Sequence, residues 1–416
     1  MVSQGKEIRL SKIINPEDGK AVVVAADHGF MLGAIKGVVN LEETLRKVIE
    51  GGPDAILLSP GQAIRLNYLF HGKNAPALLI RADWTNAFRD KTYTLPARKI
   101  KRVAVAKAKD AIALGATGIV TYYFLGQADE EEEAINFDLM SSFSKECEKI
   151  GLPLIVEALP MGERVTGANY ADLIAMGIRI AAEAGADAIK TAYTGDVETF
   201  SKAVSAAGIP VLVLGGARAQ TIRDALEIAE EALVAGGSGV VFGRQVLQNE
   251  DPKNFISLLR QVVHEGKSVI DVISHVEGPT HLLVNAAACI GCLQCQLICS
   301  FFHEKVFSIK KARIKIDASW PGKFLPQPCT LCGKCVNACP TGALRFHPNL
   351  KYVEFIQEKC IGPQGCQACV SACPFGIVGW DDEKSIPYIC DMCNGSPRCA
   401  IYCPTNALKA APYRRS

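Results

Sequence analysis

Residues 185–196 read GADAIKTAYTGD, and the setting of the single lysine in this stretch decides how the rest of the chain is read. Ala188 to Thr191 has the composition of a short buried strand, and Lys190 stands near its C-terminal end among small and apolar neighbours. Such a lysine reaches water poorly. It snorkels, pairs with a carboxylate such as Glu157, or gives up its proton, and a desolvated neutral amine is the nucleophile that Schiff-base formation with a carbonyl requires.

Outward from this strand the same unit recurs. Apolar and β-branched runs at Ala21 to Ala26, Ala55 to Ser59, Ala77 to Arg81, Gly118 to Tyr122, Leu154 to Glu157, Val211 to Leu214 and Gly239 to Phe242 each end in Gly, Pro or polar residues. Helix-period stretches lie between them, among them LEETLRKVIEGG, ARKIKRVAVAKAKDAIALG, LIAMGIRIAAEAG and TIRDALEIAEEALVAG, several closing on Gly as helices often do. Eight strand-then-helix units over about 250 residues fit a (β/α)8 TIM barrel, with a doubly wound sheet as the alternative. In a barrel, chemistry collects at the C-terminal strand ends.

Those ends carry reactive groups. The first strand closes in AADHGF, placing Asp27 and His28 where they can act as acid, base or hydroxyl ligand, or where Asp27 can cap the next turn. The last two strands close in LVLGGARAQT and VVFGRQVLQ. Their Gly-rich turns, with Gly215, Gly216 and Arg218 on one and Gly243 and Arg244 on the other, suit a phosphate.

Composition divides the chain. Of 17 cysteines only Cys147, in a helix-like stretch and read as a buried apolar side chain, precedes residue 280. The other sixteen form quartets: Cys289, Cys292, Cys295 and Cys299; Cys329, Cys332, Cys335 and Cys339; Cys360, Cys366, Cys369 and Cys373; Cys390, Cys393, Cys399 and Cys403. The first two follow C-x2-C-x2-C-x3-C, and three quartets end in Cys-Pro, the spacing that wraps 4Fe-4S clusters. Structural zinc uses separated pairs instead. The expected organisation is a barrel over 1–265, a linker over 266–284 and a small α+β polyferredoxin domain with four clusters over 285–416.

The opening MVSQGKEIRL shows no signal segment, so a reducing cytoplasm is expected, where dense cysteines bind metal. No apolar run is long enough to span a membrane. The net charge of +2 argues against nucleic acid. It hides an asymmetry, since residues 280–416 hold 15 Lys and Arg against 8 Asp and Glu, an excess that clusters with their thiolates would offset. With no flavin, nicotinamide or molybdopterin motif, no organic cofactor is expected.

The set DHG, IKTAYTGD, GGAR and GRQVLQ, spread over Leu10 to His264, resembles the archaeal-type class I fructose-bisphosphate aldolases, with the heptulosonate synthases and autoinducer-2 thiolases. The resemblance implies a Schiff base on Lys190, an acid/base or hydroxyl-binding Asp27, and a phosphate pocket at Gly215, Gly216, Gly243 and Arg244. The aldolases and heptulosonate synthases carry Tyr-Pro-Arg-Gly after strand five, where this chain has Leu159, Pro160, Met161 and Gly162. With that proton-donating Tyr missing, His28 becomes the favoured substitute, as in the thiolase branch, and Glu157 and Tyr122 are further candidates.

The quartets resemble the four-cluster subunits of molybdenum and tungsten oxidoreductases and of carbon monoxide dehydrogenase. That likeness implies nested ligation: Cys289, Cys292 and Cys295 with Cys403; Cys329, Cys332 and Cys335 with Cys373; Cys360, Cys366 and Cys369 with Cys339; and Cys390, Cys393 and Cys399 with Cys299.

An aldol reaction moves no net electrons, so a barrel fused to a cluster chain implies a partner oxidoreductase, an aldehyde-oxidising one being a candidate. The expected partners are therefore that enzyme, a phosphorylated keto or aldehyde substrate, and further copies of the chain through the barrel. One reading is a working lyase tethered to an electron carrier. The alternative is a redox scaffold whose barrel binds a ligand without chemistry.

Overall fold

The computed structural model describes residues 4–215, 221–273, 280–319, 322–348 and 352–412. The chain forms two compact units, Met1–Val269 and Ile270–Ser416.

In the first unit eight parallel strands close a barrel in sequential order: β1 (Ala21–Ala25), β2 (Ala55–Leu58), β3 (Ala77–Arg81), β4 (Gly118–Leu125), β5 (Leu154–Pro160), β6 (Ala188–Ala192), β7 (Val211–Leu214) and β8 (Gly239–Phe242). Helices cover the outside, so strands such as AVVVA and AILL are buried on both faces and apolar throughout. Closure excludes the doubly wound alternative.

Alternation along each strand builds the interior in layers. Val23, Leu57, Leu79, Val120, Ile155, Ala188, Leu212 and Val241 share one apolar core, joined by Ile13 and Ile14 at the end of the helix Gln4–Ile13. Two residues further along the same faces the layer turns polar, with Arg81 on β3, Tyr122 on β4, Glu157 on β5 and Lys190 on β6. The register places Tyr122 opposite Glu157 and Glu157 opposite Lys190.

The stretch 97–115, expected as one helix, divides. Arg102–Ala104 pairs antiparallel with Asp83–Thr85, and only Ala108–Ala113 is helical. The reason lies in Arg102, whose Nε donates to Asp83 Oδ2 at 2.5 Å and whose Nη2 donates to Thr121 Oγ1 at 2.6 Å. These bonds hold the segment extended over the barrel rim, against the helical pattern of its apolar residues. Cys147 is fully buried on the helix Glu130–Ile150, as expected, and burial pushes its thiol up to about 12.

The second unit is built from short two-stranded antiparallel sheets. Thr280–Val284, expected within the linker, pairs with Leu408–Pro412. It belongs to the cluster domain because Leu282 packs against Cys295, Cys299 and Cys399. This pairing brings the segment before the first quartet beside the segment after the fourth. Leu344–Phe346 with Val353–Phe355 likewise folds the second quartet back on the third. In every quartet the third cysteine, Cys295, Cys335, Cys369 or Cys399, is the second residue of a helix.

Candidate active site and cluster centres

At the C-terminal mouth of the barrel lies a cavity of about 250 Å³ lined by Asp27, His28, Arg81, Tyr122, Glu157 and Lys190, with Gly215, Gly243, Arg244 and Gln245 at one side and Phe88 and Asp90 at another. Lys190 is 5% exposed, and its Nζ lies 2.8 Å from Glu157 Oε1. Of the readings open at Lys190, pairing with Glu157 is realised.

Arg81, not singled out from the sequence, is the centre of the layer. Its Nε donates to Asp27 Oδ2 at 2.7 Å and its Nη2 to Glu157 Oε2 at 2.5 Å, while its guanidinium carbon stands 3.9 Å from the Tyr122 ring centroid. The signal for it was a charged residue closing the apolar run ALLIR at a barrel strand's reactive end. Asp27 precedes the helix His28–Leu32 but makes no side-chain capping bond, so its carboxylate is free for this network. Burial pushes the Asp27 carboxyl up, and the charges of Arg81, His28 and Lys190 overcome it, holding the group below its ordinary value.

Burial pushes His28 down, against the pull of Asp27 and with the help of Lys190 and Arg244, so the imidazole is neutral at neutral pH. Its Nδ1 is buried without a hydrogen-bond partner, 4.0 Å from Asp27 Oδ1. Burial also drives the Tyr122 phenol well above its ordinary value, despite Arg81. Tyr122 therefore stays protonated, and its hydroxyl lies 4.0 Å from Met31 Sδ. Leu159 is buried on β5.

Two glycines make room at the rim. A Cβ on Gly243 would fall 2.1 Å from His28 Cε1 and 2.9 Å from the Ala25 carbonyl oxygen, and one on Gly215 would strike the Gln245 amide at 2.6 Å. Gly243→Ala is expected to displace the His28 ring and destabilise the barrel by about 1–3 kcal/mol. Thermal unfolding with the His28 NMR resonance checks this, and an unmoved resonance with unchanged melting would refute it. Arg244 begins the helix Arg244–Leu247 beside the cavity. Gly216 and Arg218 lie outside the described residues.

The rim insertion is fastened to the helix after β1. Trp84 Nε1 donates to the Phe30 carbonyl and Arg89 Nε to the Met31 carbonyl, both at 2.9 Å, and the Tyr93 hydroxyl bonds the Leu32 carbonyl. These bonds hold Phe88 and Asp90 over the cavity.

The DeoC/LacD family aldolase profile matches residues 21–249, more than half of the chain. The chain belongs to the DeoC/LacD family of aldolases. This aldolase is 34% identical over 266 residues to an uncharacterized aldolase of Saccharolobus solfataricus, spanning 64% of this chain and 96% of that one. It is 32% identical to the 2-amino-3,7-dideoxy-D-threo-hept-6-ulosonate synthase of Halobacterium salinarum, over 64% and 94% of the two chains. A solved archaeal fructose-1,6-bisphosphate aldolase, whose catalytic Lys is covalently bound to the carbinolamine intermediate of its substrate, aligns at 29% identity. The match has a TM-score of 0.54 and covers 63% of this chain and 100% of that one. The barrel is of the Schiff-base class I aldolase type.

Profiles of the 4Fe-4S dicluster domain match residues 288–344 and 328–377, so the aldolase carries iron-sulfur ferredoxin domains at its C-terminal end. The thiols are arranged to fit clusters. Cys295, pushed up to about 12 by burial, also feels the charges of Cys292, Cys289 and Cys403. Cys329, Cys332, Cys335, Cys373 and Cys390 line one cavity walled by Val353, Ile377, Val378 and Ile389. Cys369 lies within the electrostatic reach of Cys360 and Cys339, and Cys399 within that of Cys393 and Cys299.

The loops themselves are shaped for an anionic centre. The second and fourth residues after the first cysteine are left-handed at Gly291 and Leu293, at Leu331 and Gly333, and at Met392 and Asn394. Such curled backbone turns N–H groups inward into an anion-binding concavity. Backbone N–H groups already donate to sulfur, from Arg313 to Cys299 at 3.2 Å and from Leu331 to Cys329 at 3.4 Å.

Among the described residues, no helix is long and apolar enough to cross a membrane.

Proposed function

We propose that the barrel makes or breaks a carbon-carbon bond of a phosphorylated keto or aldehyde compound through an imine on Lys190, in the cytoplasm. We further propose that the C-terminal unit holds four 4Fe-4S clusters serving a partner oxidoreductase. The observation that carries the first part is Lys190 buried against Glu157 in a cavity whose wall is also formed by Asp27, His28 and Arg81.

Attack of Nζ on the carbonyl forms the C–N bond, and the oxygen leaves as water with two protons from the ammonium, so that an iminium remains. Glu157, 2.8 Å from Nζ, relays those protons. Asp27, held ionised, takes the hydroxyl proton of the substrate as the carbon-carbon bond breaks and the iminium becomes an enamine. His28, neutral and with a free ring nitrogen, replaces the missing Tyr in protonating the enamine carbon, drawing the proton released at Asp27. Hydrolysis then frees Lys190. Gly215, Gly243 and Arg244 hold the phosphate, as do Gly216 and Arg218 in this reading.

Each cluster exchanges one electron at a time with its neighbours. Cys295 of the first set shares a core with Cys399 of the fourth, Cys390 of the fourth lines the same cavity as Cys329 of the second, and Cys335 of the second packs with Cys339 and Cys369 of the third. These contacts support a relay in the order first, fourth, second, third. An aldehyde product oxidised with water to its carboxylic acid releases two electrons and two protons, which suits an aldehyde-oxidising partner.

The test is incubation with a panel of keto phosphates, dihydroxyacetone phosphate among them, followed by borohydride. A stable added mass on the Lys190 peptide is expected. No adduct across the panel would leave an electron carrier with a binding barrel. His28→Gln is expected to lower turnover by about 10²- to 10⁴-fold while sparing adduct formation. Unchanged turnover would move the proton transfer to Tyr122 or Glu157.

A further inference from the structure

We infer that Arg81 is a positioning residue of the imine chemistry, joining Asp27 to Glu157 so that the free oxygen of Glu157 is aimed at Lys190. The inference rests on the Schiff-base reading above. Asp27 follows β1 and Glu157 lies on β5, strands that are not neighbours in the barrel. One planar fork closes that gap, with Nε on Asp27 at 2.7 Å and Nη2 on Glu157 at 2.5 Å. A guanidinium offers several donors at fixed directions from one rigid plane and carries its charge at every working pH.

The fork is itself fixed. Tyr122 lies against its face at 3.9 Å, and the fully buried Asp83 stands 4.0 Å from Nη1. Asp83 Oδ2 in turn accepts from Arg102 Nε at 2.5 Å, Thr121 Oγ1 at 2.8 Å and the Tyr122 backbone N–H at 3.0 Å. Arg81 is thus held by the barrel on one side and by the rim ribbon on the other, while touching no atom of Lys190 that must react. With one Glu157 oxygen tied to Nη2, the other has a single orientation, and that orientation meets Nζ at 2.8 Å.

Charge balance gives the consequence. Arg81 and Lys190 face Asp27 and Glu157 in one buried layer, two cations to two anions, while Asp83 beside Arg81 is paired with Arg102. Without the guanidinium, two buried carboxylates face one ammonium, and releasing the lysine's protons into departing water becomes harder. Arg81→Met is therefore expected to slow borohydride-trappable adduct formation at neutral pH by about tenfold or more, with the acid limb of its rate profile moved to higher pH. The substrate concentration giving half-maximal trapping should change little. Arg81→Lys, whose point charge satisfies one carboxylate at a time, should recover only part of the rate and keep a displaced limb.

The assay uses the full chain, with melting temperature and iron content recorded for each variant. Wild-type rate and pH profile in folded Arg81→Met overturn the inference. Should Arg81→Met not fold, Arg81→Lys decides, a displaced limb supporting the inference and a wild-type profile overturning it. Failure of the wild-type chain to form any adduct removes the Schiff-base reading instead, so the two failures are distinct.

Discussion

Lys190→Met is expected to abolish both the borohydride-stable adduct and carbon-carbon turnover, a loss of at least about 10³-fold. Methionine keeps the length and apolar stem of lysine but offers no electron pair able to form an imine. No described neighbour can take its place, because Arg81 is a permanent cation already tied to Asp27 and Glu157. The variant should still fold. Glu157 retains Arg81 as its counter-cation after losing Lys190, so the cost is that of one lost charged contact, about 1–3 kcal/mol, visible as a lowered melting temperature of the barrel. Mass spectrometry of the peptide containing residue 190 reads the chemistry. An adduct that persists in Lys190→Met would place the imine on another lysine.

The second large effect belongs to the cluster unit. Intact protein purified without oxygen is expected to hold about 16 iron and 16 acid-labile sulfide per chain, and Cys335→Ala about 12 of each. Cys335 lies beside Cys329, Cys332 and Cys373 in one cavity and packs with Leu344, Val353 and Ile389, so its loss removes a ligand and loosens a core at once. Adduct formation at Lys190 should be unaffected, since the barrel is a compact unit with its own core. In the proposed relay the second centre links the fourth to the third, so reduction from one end should stop there. Stoichiometric zinc, or iron unchanged by the substitution, would sink the cluster reading.

The barrel was legible because its strands are buried on both faces and therefore read as uninterrupted apolar runs. Their observed bounds agree with the reading to within one residue, except where Tyr123, Phe124 and Leu125 prolong β4 against Ala158, Leu159 and Pro160, which prolong β5. Lys190, Asp27 and His28 were legible because each ends a strand at the reactive rim. Arg81 was not, although it also ends a strand, because its meaning comes from partners distant in sequence, Asp27 and Glu157, which only closure of the barrel brings together. The ribbon at Arg102–Ala104 was misread for a related reason, since a buried ion pair with Asp83 overrides the local helical period. The linker was drawn too far because a strand as short as Thr280–Val284 gains its identity from a partner more than a hundred residues away. The ferredoxin character of the last third, by contrast, was legible because each cysteine motif is local in sequence, and the 4Fe-4S profiles match there.

That late pairing has a consequence for how the protein is made. A chain leaving the ribosome presents Cys289 through Cys299 first, yet in the nesting that the resemblance implies the first and fourth thiol sets each need residues from both ends of the unit, Cys403 for one and Cys390 to Cys399 for the other. The middle sets are finished once Cys373 has emerged. On that nesting the ligands of the inner centres emerge before those of the outer ones, whose completion coincides with the pairing of Leu408–Pro412 against Thr280–Val284. In that nesting, a chain cut before Cys390 would keep the barrel and the two inner sets and lose both outer ones.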